Sequence, residues 1–127
     1  MKPITKEWLS KADADWRVAK REFKVDYRPS YDVVCFHCQQ CAEKHLKAYL
    51  QEHSIAFPYT HNLRKLLDLC ITLDGLFVVL QTDTAMLADY AVDVRYPGDA
   101  ADKTEAHDAI EAMNRIRKFI RKKLGLR

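Results

Sequence analysis

Helix breakers are few in this chain, and they sit together. Only three Gly and four Pro occur in 127 residues. The break points are "DYRPS" (26–30), "SIAFPY" (54–59) with Pro58, the "DG" pair (74–75), and "RYPGDAAD" (95–102). Proline cannot sit inside a helix and Asp-Gly marks a turn, so these four stretches divide the chain. Between them, apolar residues recur every three or four positions, and no segment has the two-residue alternation of a half-buried strand.

Five helical segments follow. The first covers about residues 5–24, with Leu9, Ala12, Trp16, Ala19 and Phe23 on one face. Ser30 is placed to cap a second helix that runs to about residue 53. Thr60 is expected to cap a short third helix with Leu63, Leu66, Leu67, Cys70 and Leu73 as its stripe. A fourth, to about residue 94, carries Leu80, Leu87, Ala91 and Val94. Asp102 with Glu105 reads as a capping box, and the last helix carries Ala106, Ile110, Met113, Ile116, Ile120 and Leu124. Helices with one apolar face each bury those faces together, which predicts an all-α, five-helix up-and-down bundle of four long helices and a short third one. Residues 1–127 hold no repeat or linker and read as a single domain.

The N-terminus lacks the apolar core of a secretion signal, and the longest apolar run, "GLFVVL" (75–80), is too short to span a bilayer. The expected location is cytoplasmic, with no membrane association and with reduced thiols. Charge is unevenly spread. Nine acids lie between Asp74 and Glu111, opposed by Arg95 and Lys103, whereas Arg115 to Arg127 holds seven bases and no acid. Bases at a helix C-terminus favour the dipole. The separation of sign suggests that the two regions meet across an interface.

The densest run of reactive side chains is "VVCFHCQQCAEKHLKAYL" (33–50). Cys35, Cys38, Cys41 and His45 span roughly 15 Å of helix rise, and four tetrahedral zinc ligands must all lie about 2.3 Å or less from the ion. One straight helix cannot supply them. At most Cys41 and His45 can share an ion with a distant group such as Cys70. The cysteines are therefore expected to pack as small apolar residues, with no metal and no cofactor, and His45 as a hydrogen-bonded core histidine. His37 falls on the opposite, polar side with Gln40, Lys44 and Lys47. That row is either a solvated face or a place to hold an anion or partner. Arg95-Tyr96-Pro97 ends a helix; its arginine either balances Asp89 and Asp93 or contacts an anion. Asp89 and Asp93 alone make a poor Mg²⁺ site. No Gly-rich phosphate loop and no nucleophile elbow occurs.

"HCQQCAEKHLKAYL" (37–50) resembles the second helix of the HEPN family, small helical proteins of bacteria and archaea. His37, Gln40, Glu43, Lys44, Leu46, Lys47 and Ala48 match its pattern, with Cys41 where the family often has Ala. Trp16 and Ala19, "THNLRKLL" (60–67) and "LADYAVDVRYPGD" (87–99) follow in family order. The resemblance implies a five-helix bundle that usually forms a homodimer. Many members are RNase toxins with Arg, four to six residues, then His, paired with a small nucleotidyltransferase as antitoxin. Members without that motif are treated as nucleotide-binding or accessory subunits. Here eleven residues separate Arg95 from His107 and eight separate Arg28 from His37, so no Arg–His pair has that spacing. The sequence thus points to a homodimeric accessory subunit of a minimal nucleotidyltransferase. It would bind nucleotide or RNA through Arg95, Tyr96, His37 and Lys44, with Arg95 and His37 as the candidates for any catalysis. The alternatives are a metal-independent endoribonuclease with a rearranged Arg/His site and a purely structural dimer module.

Overall fold

The computed structural model describes residues 1–92 and 96–127, and within them the secondary structure is helical. Five α-helices follow in order: α1 (Pro3–Phe23), α2 (Tyr31–Glu52), α3 (Leu63–Leu73), α4 (Gln81–Ala88) and α5 (Lys103–Lys123). A tighter 3₁₀ segment, Gly75–Leu80, joins α3 to α4. No helix among the described residues is long and apolar enough to cross a membrane.

The helix α2 is the axis of the bundle. Thirteen of its residues are buried, among them Val34, Cys35, Cys38, Cys41, Leu46 and Leu50, and they lie nearly all round the helix. It packs chiefly against α1 and α5, and also against α3 and α4. Contact between α1 and α5 is light by comparison. Burial on one face suffices for the outer helices: Leu9, Ala12 and Ala19 in α1, and Ala106, Ala109, Met113, Ile116 and Ile120 in α5.

The ends of the helices follow elementary capping chemistry. The Ser30 hydroxyl accepts from the Val33 amide at 3.3 Å, as expected for α2. At α3 the cap is Asn62, whose side chain accepts from the Lys65 amide at 3.1 Å. Thr60, expected in that role, instead accepts from the Asn62 amide at 3.0 Å and so shapes the turn ahead of the cap. Asp102 accepts from the Glu105 amide at 2.8 Å, but the Glu105 carboxylate accepts from the Tyr90 hydroxyl, so the capping box closes on one side only. The start of α1 borrows its cap from α2: Glu52 accepts from the Lys2 amide at 3.0 Å and the Thr5 hydroxyl at 2.9 Å. These hydrogen bonds hold the Glu52 carboxyl below its ordinary range.

The fourth segment differs most from expectation. Three helices are long rather than four, because residues 75–80 wind with three residues per turn and α4 proper spans only Gln81–Ala88. That period aims Phe77 and Leu80 inward, three residues apart, and leaves Leu76 and Val79 exposed. Side-by-side Val78 and Val79 favour this departure, since β-branched residues crowd an α-helical turn. Phe77 is fully buried, its ring 4.5 Å from that of Tyr49 and 5.0 Å from that of Phe119. Val94, expected on this helix, lies outside the described residues.

Parts of the acidic and basic regions meet inside the chain. Arg115 on α5 donates twice to Asp83 on α4, at 3.0 and 2.9 Å, and Lys123 pairs with Asp74 at 2.7 Å. These pairs clamp the C-terminal helix to the α3–α4 side.

His45 is buried on α2, where its Nδ1 donates to the Cys41 carbonyl at 2.9 Å. Burial pulls its pKa down to about 4, against a smaller opposing effect of that carbonyl. The unfolded imidazole takes up a proton near its ordinary 6.5, so the stability it contributes is whole above that pH and is lost as pH falls toward 4. Between roughly pH 7 and pH 5 the loss is expected to be about 2 kcal/mol. Urea unfolding at both pH values checks this, and His45→Leu should remove most of the difference.

Candidate functional site

The row His37, Gln40, Lys44 and Lys47 does run along one side of α2, but it faces α1 and the 54–61 loop, not open solvent. Ala12 and Ala19 let α1 approach closely, and between them α1 places Asp15, which is only 7% exposed. His37 Nδ1 donates to Asp15 Oδ1 at 2.7 Å and Lys44 Nζ donates to Oδ2 at 2.6 Å. Burial pushes the Asp15 carboxyl up, but its hydrogen bonds to His37 and Lys44, with their charges, outweigh burial and hold it below the ordinary carboxylate range. With Nδ1 committed to Asp15, Nε2 is the nitrogen of His37 that can exchange a proton. The His37 side chain is 26% exposed.

A second cluster continues the seam. Gln40 donates to Gln39 Oε1 at 2.7 Å, and Gln39 donates to the His61 carbonyl at 3.1 Å and to Glu43 at 3.3 Å. Glu43, 2% exposed, accepts from Lys47 at 3.0 Å and from His61 Nδ1 at 3.0 Å. The Lys47 ammonium, on a side chain only 6% exposed, lies 5.3 Å from the Trp8 ring centre and 6.0 Å from those of Phe57 and Tyr59. Two buried charges are tolerated here because each is paired and hydrogen-bonded.

Tyr96 lies elsewhere. It is 82% exposed in the connection between α4 and α5, which the Ala101 amide fastens to the first turn of α2 by donating to Asp32 at 2.7 Å. Asp32 and His37 are about 140° apart around that helix. That hydrogen bond places Ala101, at the end of the connection, and the His37–Lys44 pair on different faces of α2. Arg95, together with Asp93, lies outside the described residues. His107 sits exposed at the start of α5, within 3.5 and 3.6 Å of Asp108 and Glu111.

All four cysteines are fully buried. Burial pushes the Cys38 and Cys41 thiols far up and that of Cys70 up to about 12, so none of these three is an activated nucleophile. Among the described residues no three His, Cys, Asp or Glu side chains converge as metal ligands.

Sequence reasoning passed over Asp15, Gln39 and His61 as site residues. Asp15 had a legible signal, a lone acid at the i+3 position from Ala12 and i−4 from Ala19, within the apolar face of α1. The Glu43–Lys47 spacing is that of a helical ion pair. Nothing local places His61 beside them.

A bundle built round one largely buried helix, with a paired polar seam between its first two helices, defines a small all-α helical domain. The HEPN domain family matches residues 5–123, and the chain belongs to the HEPN family. Among solved structures it is similar to ST0689, an archaeal HEPN homologue, with TM-score 0.75, 24% identity, and coverage of 97% of this chain and 98% of that one. It is also similar to TT1696 from Thermus thermophilus, with TM-score 0.75, 25% identity, and coverage of 94% and 97%. No curated protein matches it.

Removing the Glu43 carboxylate strands Lys47 without its buried counter-charge. Glu43→Ala is expected to cost about 3 kcal/mol or more, the scale for breaking a buried pair from one side. Adding Lys47→Met should restore most of the loss. Urea unfolding of the two variants and the wild type checks this coupling.

Proposed function

We propose that this HEPN protein is a nucleotide- or RNA-binding accessory subunit, acting in the cytoplasm as a homodimer beside a minimal nucleotidyltransferase in a toxin–antitoxin-like pair. The observation that carries the proposal is the absence of any Arg followed by His at the four-to-six-residue spacing of the family's RNases. The exposed Tyr96 ring offers a stacking surface for a base. Arg95 beside it supplies a planar cation suited to phosphate. His37 and Lys44 lie on another face of α2 from Ala101, so in this proposal the second copy of a dimer brings them to the same ligand. Their tie to Asp15 fixes both in position and leaves a net cationic group when His37 is protonated.

One observation favours an alternative. The Asp15–His37 hydrogen bond of 2.7 Å orients the imidazole as carboxylate–histidine pairs do in acid–base catalysis. Nε2 of His37 would then take the proton of a ribose 2′-hydroxyl as that oxygen attacks the adjacent phosphorus, and Arg95 from the other copy would stabilise the phosphorane. The P–O5′ bond would break with a proton passing to the 5′-oxygen from the protonated His37 or through water, giving a metal-independent endoribonuclease.

Two assays on the purified protein decide between these. In a binding titration with labelled RNA and with nucleotide, Arg95→Ala and Tyr96→Ala are each expected to weaken binding by roughly tenfold or more, about 1.4 kcal/mol. In a cleavage assay with EDTA, no product is expected. Cleavage that disappears in both His37→Ala and Arg95→Ala would establish the endoribonuclease instead. A folded dimer that binds neither ligand would leave only a structural module.

A further inference from the structure

Because α1 and α5 both pack on α2 and touch each other lightly, their outer edges leave a furrow. The end of α5 deepens it. Gly125 adopts φ +76°, its amide donates to the Lys122 carbonyl at 3.0 Å, and the Leu126 amide donates to the Arg121 carbonyl at 2.8 Å. This pair of bonds is the Schellman way of ending a helix, and it needs the left-handed glycine. The turn brings Leu126 toward Leu9 of α1. Between turn and helix lies an open groove of about 620 Å³.

The groove is lined by Lys6, Ser10, Asp13 and Arg17 from α1 and by Arg121 from α5. The four α1 residues are spaced i, i+4, i+7 and i+11, one stripe of the helix. Lys6 and Arg17 are exposed. Neither they nor Arg121 has a carboxylate partner among the described residues; Arg121 instead donates to the Arg127 carbonyl at 2.8 Å. The single acid, Asp13, is already engaged by Arg117 at 3.4 Å. The bases of α5 thus divide by direction. Arg115 and Lys123 are consumed by Asp83 and Asp74 on the α3–α4 side and Arg117 by Asp13, whereas Lys6, Arg17 and Arg121 have no acidic side chain as partner among the described residues.

The stripe does not stop at the groove. Lys20, Arg21 and Lys24 continue it toward the end of α1, and from Lys6 to Lys24 it runs roughly 27 Å. At about 3.4 Å per nucleotide along a stacked strand, that length faces roughly eight phosphates. Trp16 borders this track, but Lys20 Nζ and the Arg117 guanidinium stand 3.9 and 4.0 Å from its ring centre. A ring carrying two cations has no open face for a base. The surface offers charge without stacking.

We infer that the α1–α5 groove is a sequence-independent track for a nucleic-acid phosphate backbone, held by Lys6, Arg17 and Arg121 and extended by Lys20, Arg21 and Lys24. It uses none of His37, Tyr96 and Arg95, so it and the ligand site proposed above can fail separately.

The test is fluorescence anisotropy with labelled RNA and DNA oligonucleotides, single-stranded and duplex, over a range of salt. The combined variant Lys6→Gln, Arg17→Gln, Arg121→Gln is compared with Arg64→Gln, Lys65→Gln, Lys103→Gln, which removes the same charge elsewhere. All three groove residues point to solvent or the groove, and thermal midpoints verify that the variants fold. The groove variant is expected to bind at least tenfold more weakly, and its salt slope should fall by about 2, for three phosphate contacts at roughly 0.7 each. The control should stay within about twofold of wild type, and mixed sequences of RNA and DNA should behave alike. Equal weakening in both variants would reduce the effect to net charge and overturn the track. So would RNA binding without DNA binding, which would mean readout of the 2′-hydroxyl. Wild-type binding lost in Arg95→Ala with Tyr96→Ala but kept in the groove variant would also overturn it, while leaving the loop site standing.

Discussion

The burial of α2 from almost every direction sets the terms for the rest of this molecule. A helix packed by α1, α5, α3 and α4 has little surface on which to leave polar groups in water. Each polar group it carries must find a partner within the protein or cost several kcal/mol. Asp15 meets that need for His37 and Lys44, Glu43 for Lys47, and the Cys41 carbonyl for Nδ1 of His45, whose Nε2 is buried without a partner among the described residues. The seam that looks like a functional row is thus also the structural solution to an apolar axis with charged residues on it. Both roles rest on the same hydrogen bonds.

This explains why the fold was easier to read than the site. Breakers at Pro29, Pro58 and Pro97 and the apolar periods of α1, α2 and α5 placed the long helices within a residue or two. The motifs of residues 37–50 and 60–67 carried the family. Harder was anything that depends on two segments at once. A helical wheel separates His37 from the apolar arc, but it cannot say that α1 covers the polar side too. His61 joins Glu43 only because the 54–61 loop folds back over Lys47. The 3₁₀ winding of residues 75–80 was missed because Phe77 and Leu80 satisfy a period of three or of 3.6 equally well. Arg95, on which the functional proposal leans, stands on sequence evidence alone.

Electrostatics divides the molecule along α5. On one side its bases close ion pairs with Asp83 and Asp74 and hold α4 and the 3₁₀ segment in place. On the other, Arg117 pairs with Asp13 and Arg121 lines the groove beside the exposed Lys6 and Arg17 of α1. The block of seven bases that sequence alone presents as one feature therefore holds residues committed to the α3–α4 side and others that face α1. High salt should act on the halves differently, since Asp83 is mostly shielded from solvent whereas Lys6 and Arg17 are not.

The four buried thiols have a consequence for how this protein would fail. Cys35, Cys38 and Cys41 on α2 and Cys70 on α3 are sealed in the core, and thiols held above their ordinary pKa, as burial holds Cys38, Cys41 and Cys70, are poor nucleophiles and poor targets for oxidants. Opening the bundle restores all of them at once. A transiently opened copy would present several ordinary thiols along a newly exposed apolar helix, where sulfenylation or mixed-disulfide capture can trap it before it closes. In an oxidising cell the lifetime of the protein would then be set by how often α2 is uncovered, not by its equilibrium stability. The same property makes thiol labelling a natural clock for that opening.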